Sequence, residues 1–163
     1  SDGAQTWTVR ASPTTEALLG VAYSSARSLF VAVGNAGTIV TSPDGVTWTA
    51  RTSGTTTRLM KVAAGPSAIV AVGLEGVVVK STDGVSWTTH SVGLSGSAGN
   101  LYGVAADGAG FVATGAAGLV AHSPDGATWA TREWLTPRDL LGIAVGSTTT
   151  VAVGASGVIF SRD

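Results

Sequence analysis

Apolar residues fall along the chain in short runs of about five to seven, rich in Val, Ile and Ala and bounded by Gly, Asp, Pro and Ser. No segment holds a 3.6-residue period over ten residues, so the pattern predicts strands throughout. The runs recur in a fixed order. A first run is seen at 18–22, 59–63, 101–105 and 140–144, and a second at 30–34, 69–73, 111–115 and 150–154. The second ends on a Gly-x-x-Gly element (Gly34 to Gly37, Gly73 to Gly76, Gly115 to Gly118, Gly154 to Gly157), which leads into a third run such as 38–41 or 158–160. That spacing predicts a two-residue hairpin whose flanking glycines take positive φ.

After the third run comes a box, Ser-x-Asp-Gly-x-(Ser/Thr)-Trp, at 42–48, 81–87 and 123–129, with a variant at 2–7. Its aspartates are Asp2, Asp44, Asp83 and Asp125, spaced by 42, 39 and 42 residues. Asp can accept hydrogen bonds from the backbone that follows it, and Gly relieves the bend, so the box is a turn. Trp7, Trp48, Trp87 and Trp129 then open a fourth strand, where a large ring can seal one unit against another. A four-stranded antiparallel unit of about 40 residues, with only its neighbours to bury its faces, is a propeller blade. The chain therefore predicts an all-β, single-domain propeller over residues 1–163. Its four four-stranded blades lie at about 11–50, 51–91, 92–132 and 133–163, the last closed by 1–10.

The ends suggest how the ring shuts. The last unit stops after a third strand at 158–163, and the first segment supplies a box and a fourth strand at Thr6–Arg10. A clasp of the two removes exposed sheet edges. One chain can close on itself as a four-bladed ring, or two chains can exchange clasps to form an eight-bladed one. Closure within one chain needs no partner, so a monomer is the expectation carried forward, with the homodimer as its alternative.

Composition narrows the chemistry. A chain of 163 residues is long enough for a core without staples, and with no cysteine it has no disulfide, thiolate metal site or cysteine nucleophile. A net charge of −1 with 12% charged residues offers no basic field for nucleic acid, and no apolar run approaches the length that membrane insertion needs. His90 and His122 stand alone, which predicts no metal site, and the Gly-x-x-Gly turns join strands rather than opening a phosphate-binding helix. No cofactor is expected.

The box, following Val-Ala-Val-Gly-x-x-Gly, resembles the Asp-box or bacterial neuraminidase repeat, and especially the repeat of propellers similar to photosystem II assembly factors. The resemblance covers essentially the whole chain. It implies a sialidase-like fold in which the boxes serve folding from peripheral turns, away from the ligand site. Sialidase chemistry in that family uses three arginines, a Tyr/Glu pair and an acid. Here Arg10, Arg27, Arg51, Arg58, Arg132, Arg138 and Arg162 do not recur at one blade position, and Tyr23 and Tyr102 have no repeat-matched Glu. The catalytic set does not transfer, and the protein is expected not to be an enzyme. The family's frequent export, with the Ser/Thr/Gly-rich, lysine-poor composition, gives an extracytoplasmic or secreted expectation.

Positions where the copies disagree are the candidate site. Arg58, Asn100 and Asp139, with Arg138 beside the last, immediately precede innermost strands and converge on the channel mouth. Lys61 replaces a glycine found at 20, 103 and 142, and could fill the channel or hold an anion. Trp134, the one Trp outside a box, could stack on a sugar. The linker 90–100, long and Gly/Ser-rich, is expected to be the most mobile. The reading is a non-catalytic binding or scaffold module for a protein or glycan partner. A lectin using Trp134 or the grooves between blades is one alternative. A glycosidase or lyase, for which Glu16 and Asp139 are the plausible carboxylate pair, is the other.

Overall fold

The computed structural model describes residues 6–163, apart from the side chain of Thr131. Its strands are β1 (Leu18–Ser24), β2 (Leu29–Gly34), β3 (Ile39–Ser42), β4 (Thr49–Arg51), β5 (Leu59–Ala64), β6 (Ile69–Gly73), β7 (Val77–Ser81) and β8 (Thr88–Ser91). They continue with β9 (Leu101–Ala106), β10 (Phe111–Gly115), β11 (Leu119–Ser123), β12 (Thr131–Trp134), β13 (Leu140–Val145), β14 (Thr150–Gly154) and β15 (Ile159–Arg162). Each sheet is an antiparallel meander in chain order: β1 to β4, β5 to β8, β9 to β12, and a three-stranded β13 to β15. These are the four expected propeller blades.

A lone sheet cannot bury its own faces, so the core lies between blades. Val31, Val33 and Ile39 of the first blade pack on Leu59, Val62, Ala71 and Val79 of the second. Val70, Val72 and Val78 of the second meet Leu101, Phe111, Ala113, Leu119 and Trp129 of the third. Val112 and Val120 of the third meet Leu140, Ala152 and Phe160 of the fourth. Alternation along each strand sends one set of residues to the preceding seam and the other to the following one. Each large side chain buried this way is worth about 1.5–3 kcal/mol.

The innermost strands pack in sequence, β1 on β5, β5 on β9 and β9 on β13, and β13 makes no extended contact with β1. The blades thus form an open arc. Leu18, Val21 and Tyr23 are exposed at its first edge, and Leu141, Val153 and Ile159 at its last.

The expected clasp between the two ends of the chain is not formed among the described residues. Thr6–Arg10 carries no strand, Trp7 and Val9 are fully exposed, and the fourth blade has three strands. β1 and β13 make no extended contact, so blade one does not bring residues 6–10 against the edge of blade four. Asp2 lies outside the described residues.

The Gly-x-x-Gly turns also differ from a two-residue hairpin. The first glycine is extended (Gly34 φ −168°), and the positive φ values fall on the next pair, Ala36 (51°) with Gly37 (68°). Glycine is required at 34 by proximity: a Cβ there would lie 2.0 Å from the Ala17 carbonyl oxygen. The linker after β8 is packed rather than loose. Val92 is fully buried, Leu94 joins the core between blades two and three, and residues 96–99 form a 3-10 turn.

Candidate functional site

The meander fixes which groups share an end of the arc. Turns between second and third strands, and linkers leading into innermost strands, lie at one end; the boxes lie at the other. Trp134 pairs with Leu119, directly after a second turn, so it belongs to the linker end with Arg58, Asn100, Arg138 and Asp139. Radially the six candidates are spread out. Lys61 is on an innermost strand and Trp134 on an outermost one.

Two of them hold the arc together. Asn100 Oδ1 accepts from the backbone N–H of Glu75 at 3.0 Å, and Asp139 Oδ1 accepts from that of Ala117 at 2.9 Å. Both donors are left-handed non-glycine residues at the tip of the preceding blade's turn, with φ of 56° and 49°. Meanwhile the main-chain carbonyls of Ala17, Arg58, Asn100 and Asp139 each accept an N–H from their own blade's turn, at 2.9–3.1 Å. The residue before an innermost strand is therefore a junction between two blades. Asn100 Nδ2 also donates to the Tyr102 hydroxyl at 3.3 Å.

The remaining four project outward. Arg58, Lys61 and Arg138 are exposed, and Trp134 keeps 57% of its surface in solvent. Arg138 Nη1 donates to Ser156 Oγ at 2.9 Å. Lys61 borders a groove of about 440 Å³ with Leu18, Val21, Ala32 and Trp48. A Cβ on Gly20 would stand 3.0 Å from the Lys61 Cα, which is the close approach of neighbouring innermost strands. Glu16 and Asp139 are not brought together, since they precede the first and last blades of the open arc.

At the opposite end the three described boxes are alike. In the first, Asp44 Oδ1 accepts from the N–H groups of Val46 and Thr47, both at 2.8 Å, and from the Ser42 hydroxyl at 2.9 Å. Gly45 N–H in turn donates to Ser42 Oγ at 2.8 Å. Donors aimed at the ionised form hold the carboxyl groups down. Asp44 is lowered to about 2, chiefly by the Thr47 and Val46 amides. Asp125 is lowered to about 2 by those of Thr128 and Ala127, and Asp83 falls lower still through Val85 and Ser86. The box turn also touches the preceding blade. A Cβ on Gly84 would meet Leu29 of blade one, and one on Gly126 would meet Val70 of blade two.

Two features escape the sequence reading. Arg27 clamps blade one to blade two, its Nε donating to the Thr82 carbonyl and its Nη2 to the Ser67 carbonyl, both at 2.7 Å. The signal was a lone arginine in one of four equivalent loops. The second is a cleft of about 280 Å³ between blades three and four, lined by Val112, Val120, His122, Ala152, Phe160 and neighbours. Among the described residues, no group of three or more His, Asp or Glu could hold a metal, and no helix is long and apolar enough to cross a membrane.

No protein-family model and no curated relative matches the chain. Solved structures do. YCF48 from Cyanidioschyzon merolae superposes with a TM-score of 0.72 at 19% identity, over 94% of this chain and 55% of its own. YCF48 bound to D1 peptide gives 0.70 at 21% identity, over 93% and 53%. The WD40 β-propeller domain of Doa1 gives 0.70 at 13%, over 90% and 51%. At these identities the likeness shows the propeller fold. The chain spans about half the length of these three structures.

Proposed function

We propose that the chain is a non-catalytic module that binds a polypeptide segment at its linker end. The observation that carries this reading is the pairing of rigid junctions with exposed groups. Asn100 and Asp139 fix the turns, while Arg58, Arg138 and the Trp134 ring stand exposed at the same end of the arc, and Lys61 is exposed on the innermost strand that follows Arg58. A scaffold that holds polar and aromatic groups still lowers the ordering cost of binding. A propeller of the same fold, YCF48, has been solved with a peptide bound, which supports a peptide as the ligand class. We read the boxes as Asp-box repeats confined to folding, because the aspartates of the three described boxes are engaged by their own turns. The non-catalytic reading is supported by the separation of Glu16 from Asp139, whose carboxylate already serves Ala117. An extracytoplasmic location is proposed on composition.

The test is a peptide array of varied charge and aromatic content, run beside a glycan array. The account expects peptide signal that Arg58→Ala or Arg138→Ala reduces at least tenfold with circular dichroism unchanged. Glycan signal abolished by Trp134→Ala, with peptides silent, would establish the lectin reading instead.

A further inference from the structure

Three places in the arc are filled in some blades and open in others. Gly103 lies against Gly142 of the next blade, its Cβ position 3.3 Å from the Gly142 Cα, whereas Gly142 meets only Val153 of its own blade. Gly84 and Gly126 abut the preceding blade, but Gly45 has only Phe30 of its own. Gly37, Gly76 and Gly118 abut the carbonyls of Thr55, Leu94 and Thr136 in the linkers after fourth strands, and Gly157 has nothing within 4 Å. The first two mark the free faces of the arc. The third marks the outer edge of the three-stranded last blade.

The cleft between blades three and four is the fourth such place. At the equivalent seams Trp87 and Trp129 pack between blades. Here the cleft of about 280 Å³ stands between Val112 and Val120 on one side and Ala152 and Phe160 on the other. It is large enough to admit an indole, and its lining is mostly apolar, with Asp107, Glu133 and Arg162 also on it. His122, whose buried Nε2 has no partner among the described residues, also lines it.

The missing piece is legible at the N-terminus. Trp7 stands eleven residues before Leu18, as Trp48 stands eleven before Leu59 and Trp129 eleven before Leu140. Residues 12–16 already hold the bonds of the matching linker. Thr14 N–H donates to Ser12 Oγ at 3.3 Å and Glu16 N–H to Thr14 Oγ1 at 3.0 Å; Thr55 to Ser53 and Thr57 to Thr55 repeat them at 3.3 and 3.1 Å. That linker joins a fourth strand to the innermost strand of the adjacent blade. Residues 6–10 are thus set to pair in a blade placed directly before blade one, and β13 of the same chain is not there.

From these we infer that the occupant is a second copy of this chain, with the two arcs exchanging their N-terminal strands. Residues 6–10 of each copy add to the β15 edge of the other, and Trp7 enters the cleft between blades three and four. The β1 and β13 faces then meet at two equivalent head-to-tail seams, closing an eight-bladed ring. The curvature fits, since the arc superposes on about half of a propeller domain. Closure by rotation is what prevents a head-to-tail contact from running on into a filament. The register follows from β3 and β4, where Thr41 pairs with Thr49 and Val40 with Ala50. By the same offsets Ser161 pairs with Thr8 and Phe160 with Val9.

The chain has no cysteine, so disulfide trapping is clean. The double variant Thr8→Cys/Ser161→Cys is oxidised and run on a non-reducing denaturing gel, with each single variant as control. The inference expects a covalent dimer from the double variant alone, and a reduction of at least tenfold in dimer affinity for Trp7→Ala. A disulfide formed within one chain would overturn it in favour of self-closure. No cross-link, from a protein folded by circular dichroism, would overturn it as well.

Discussion

The carboxylate of Asp139 accepts a hydrogen bond from the backbone N–H of Ala117 at 2.9 Å, joining the start of the fourth blade to the turn of the third. Asn100 does the same for Glu75 one blade earlier. At the matching place in the second blade stands Arg58, whose guanidinium has no acceptor. Asp139→Ala is therefore expected to lower stability by roughly 1–2 kcal/mol, the scale of a lost hydrogen bond to a charged group. Arg58→Asn supplies the missing acceptor and is expected to raise stability by about 0.5–1 kcal/mol. Urea unfolding of both variants against the parent chain checks the pair.

The boxes set the acid limb of the stability curve. Their folded-state carboxyl groups lie below the ordinary carboxylate value, near 2 for Asp44 and Asp125 and lower for Asp83. A group lowered in the folded state contributes fully above its unfolded value, about 3.9, and loses that contribution as pH falls through the folded value. The urea midpoint should therefore be unaffected by the boxes above about pH 5 and fall steeply between about pH 4 and 2. Asp44→Asn is expected to lower the midpoint at pH 7 and make the decline shallower. A decline unchanged in Asp44→Asn would show that box ionisation is not its source.

Trp129 and Trp48 occupy equivalent box positions and differ in what covers them. Trp129 is buried between blades two and three, with Nε1 donating to the Gly126 carbonyl at 3.4 Å. Trp48 is half-buried and borders the open groove beside Lys61. Trp129→Ala should cost about 3–5 kcal/mol, the usual penalty for emptying a buried aromatic site. Trp48→Ala should cost clearly less when measured on dilute, dissociated protein.

Gly73 is held by contact rather than by dihedral angle. Its φ is extended, yet a Cβ would sit 2.0 Å from the Arg58 carbonyl oxygen that accepts the Leu74 N–H. Gly73→Ala is expected to lose about 1–3 kcal/mol through that overlap. Gly96 is the contrast. It has positive φ with nothing within 4 Å, so Gly96→Ala should cost only the roughly 1–2 kcal/mol of a left-handed residue. Thermal unfolding of the two variants separates the mechanisms.

Much of this fold is legible in the chain because the repeat states each element four times. The boxes announced their turns, since an aspartate followed by glycine leaves little else for the carboxylate to do. The roles of Asn100 and Asp139 were hidden. A polar residue before a strand reads as a loose loop end, and the donors it serves lie 25 and 22 residues earlier, in another blade. The Gly-x-x-Gly element misled in a related way: the spacing shows two glycines, but not that Gly34 answers to the Ala17 carbonyl and Gly37 to both its own φ and the Thr55 carbonyl. Thr6–Arg10 had the pattern of a fourth strand, and pattern alone does not say whose edge receives it.

That question is settled most directly by mass. Static light scattering of the 163-residue chain at tens of micromolar is predicted to give twice the monomer mass of 16.1 kDa, falling to the monomer value in Trp7→Ala. A parent chain that stays at 16.1 kDa across that range, folded and with unfolding independent of concentration, would contradict closure by a second copy.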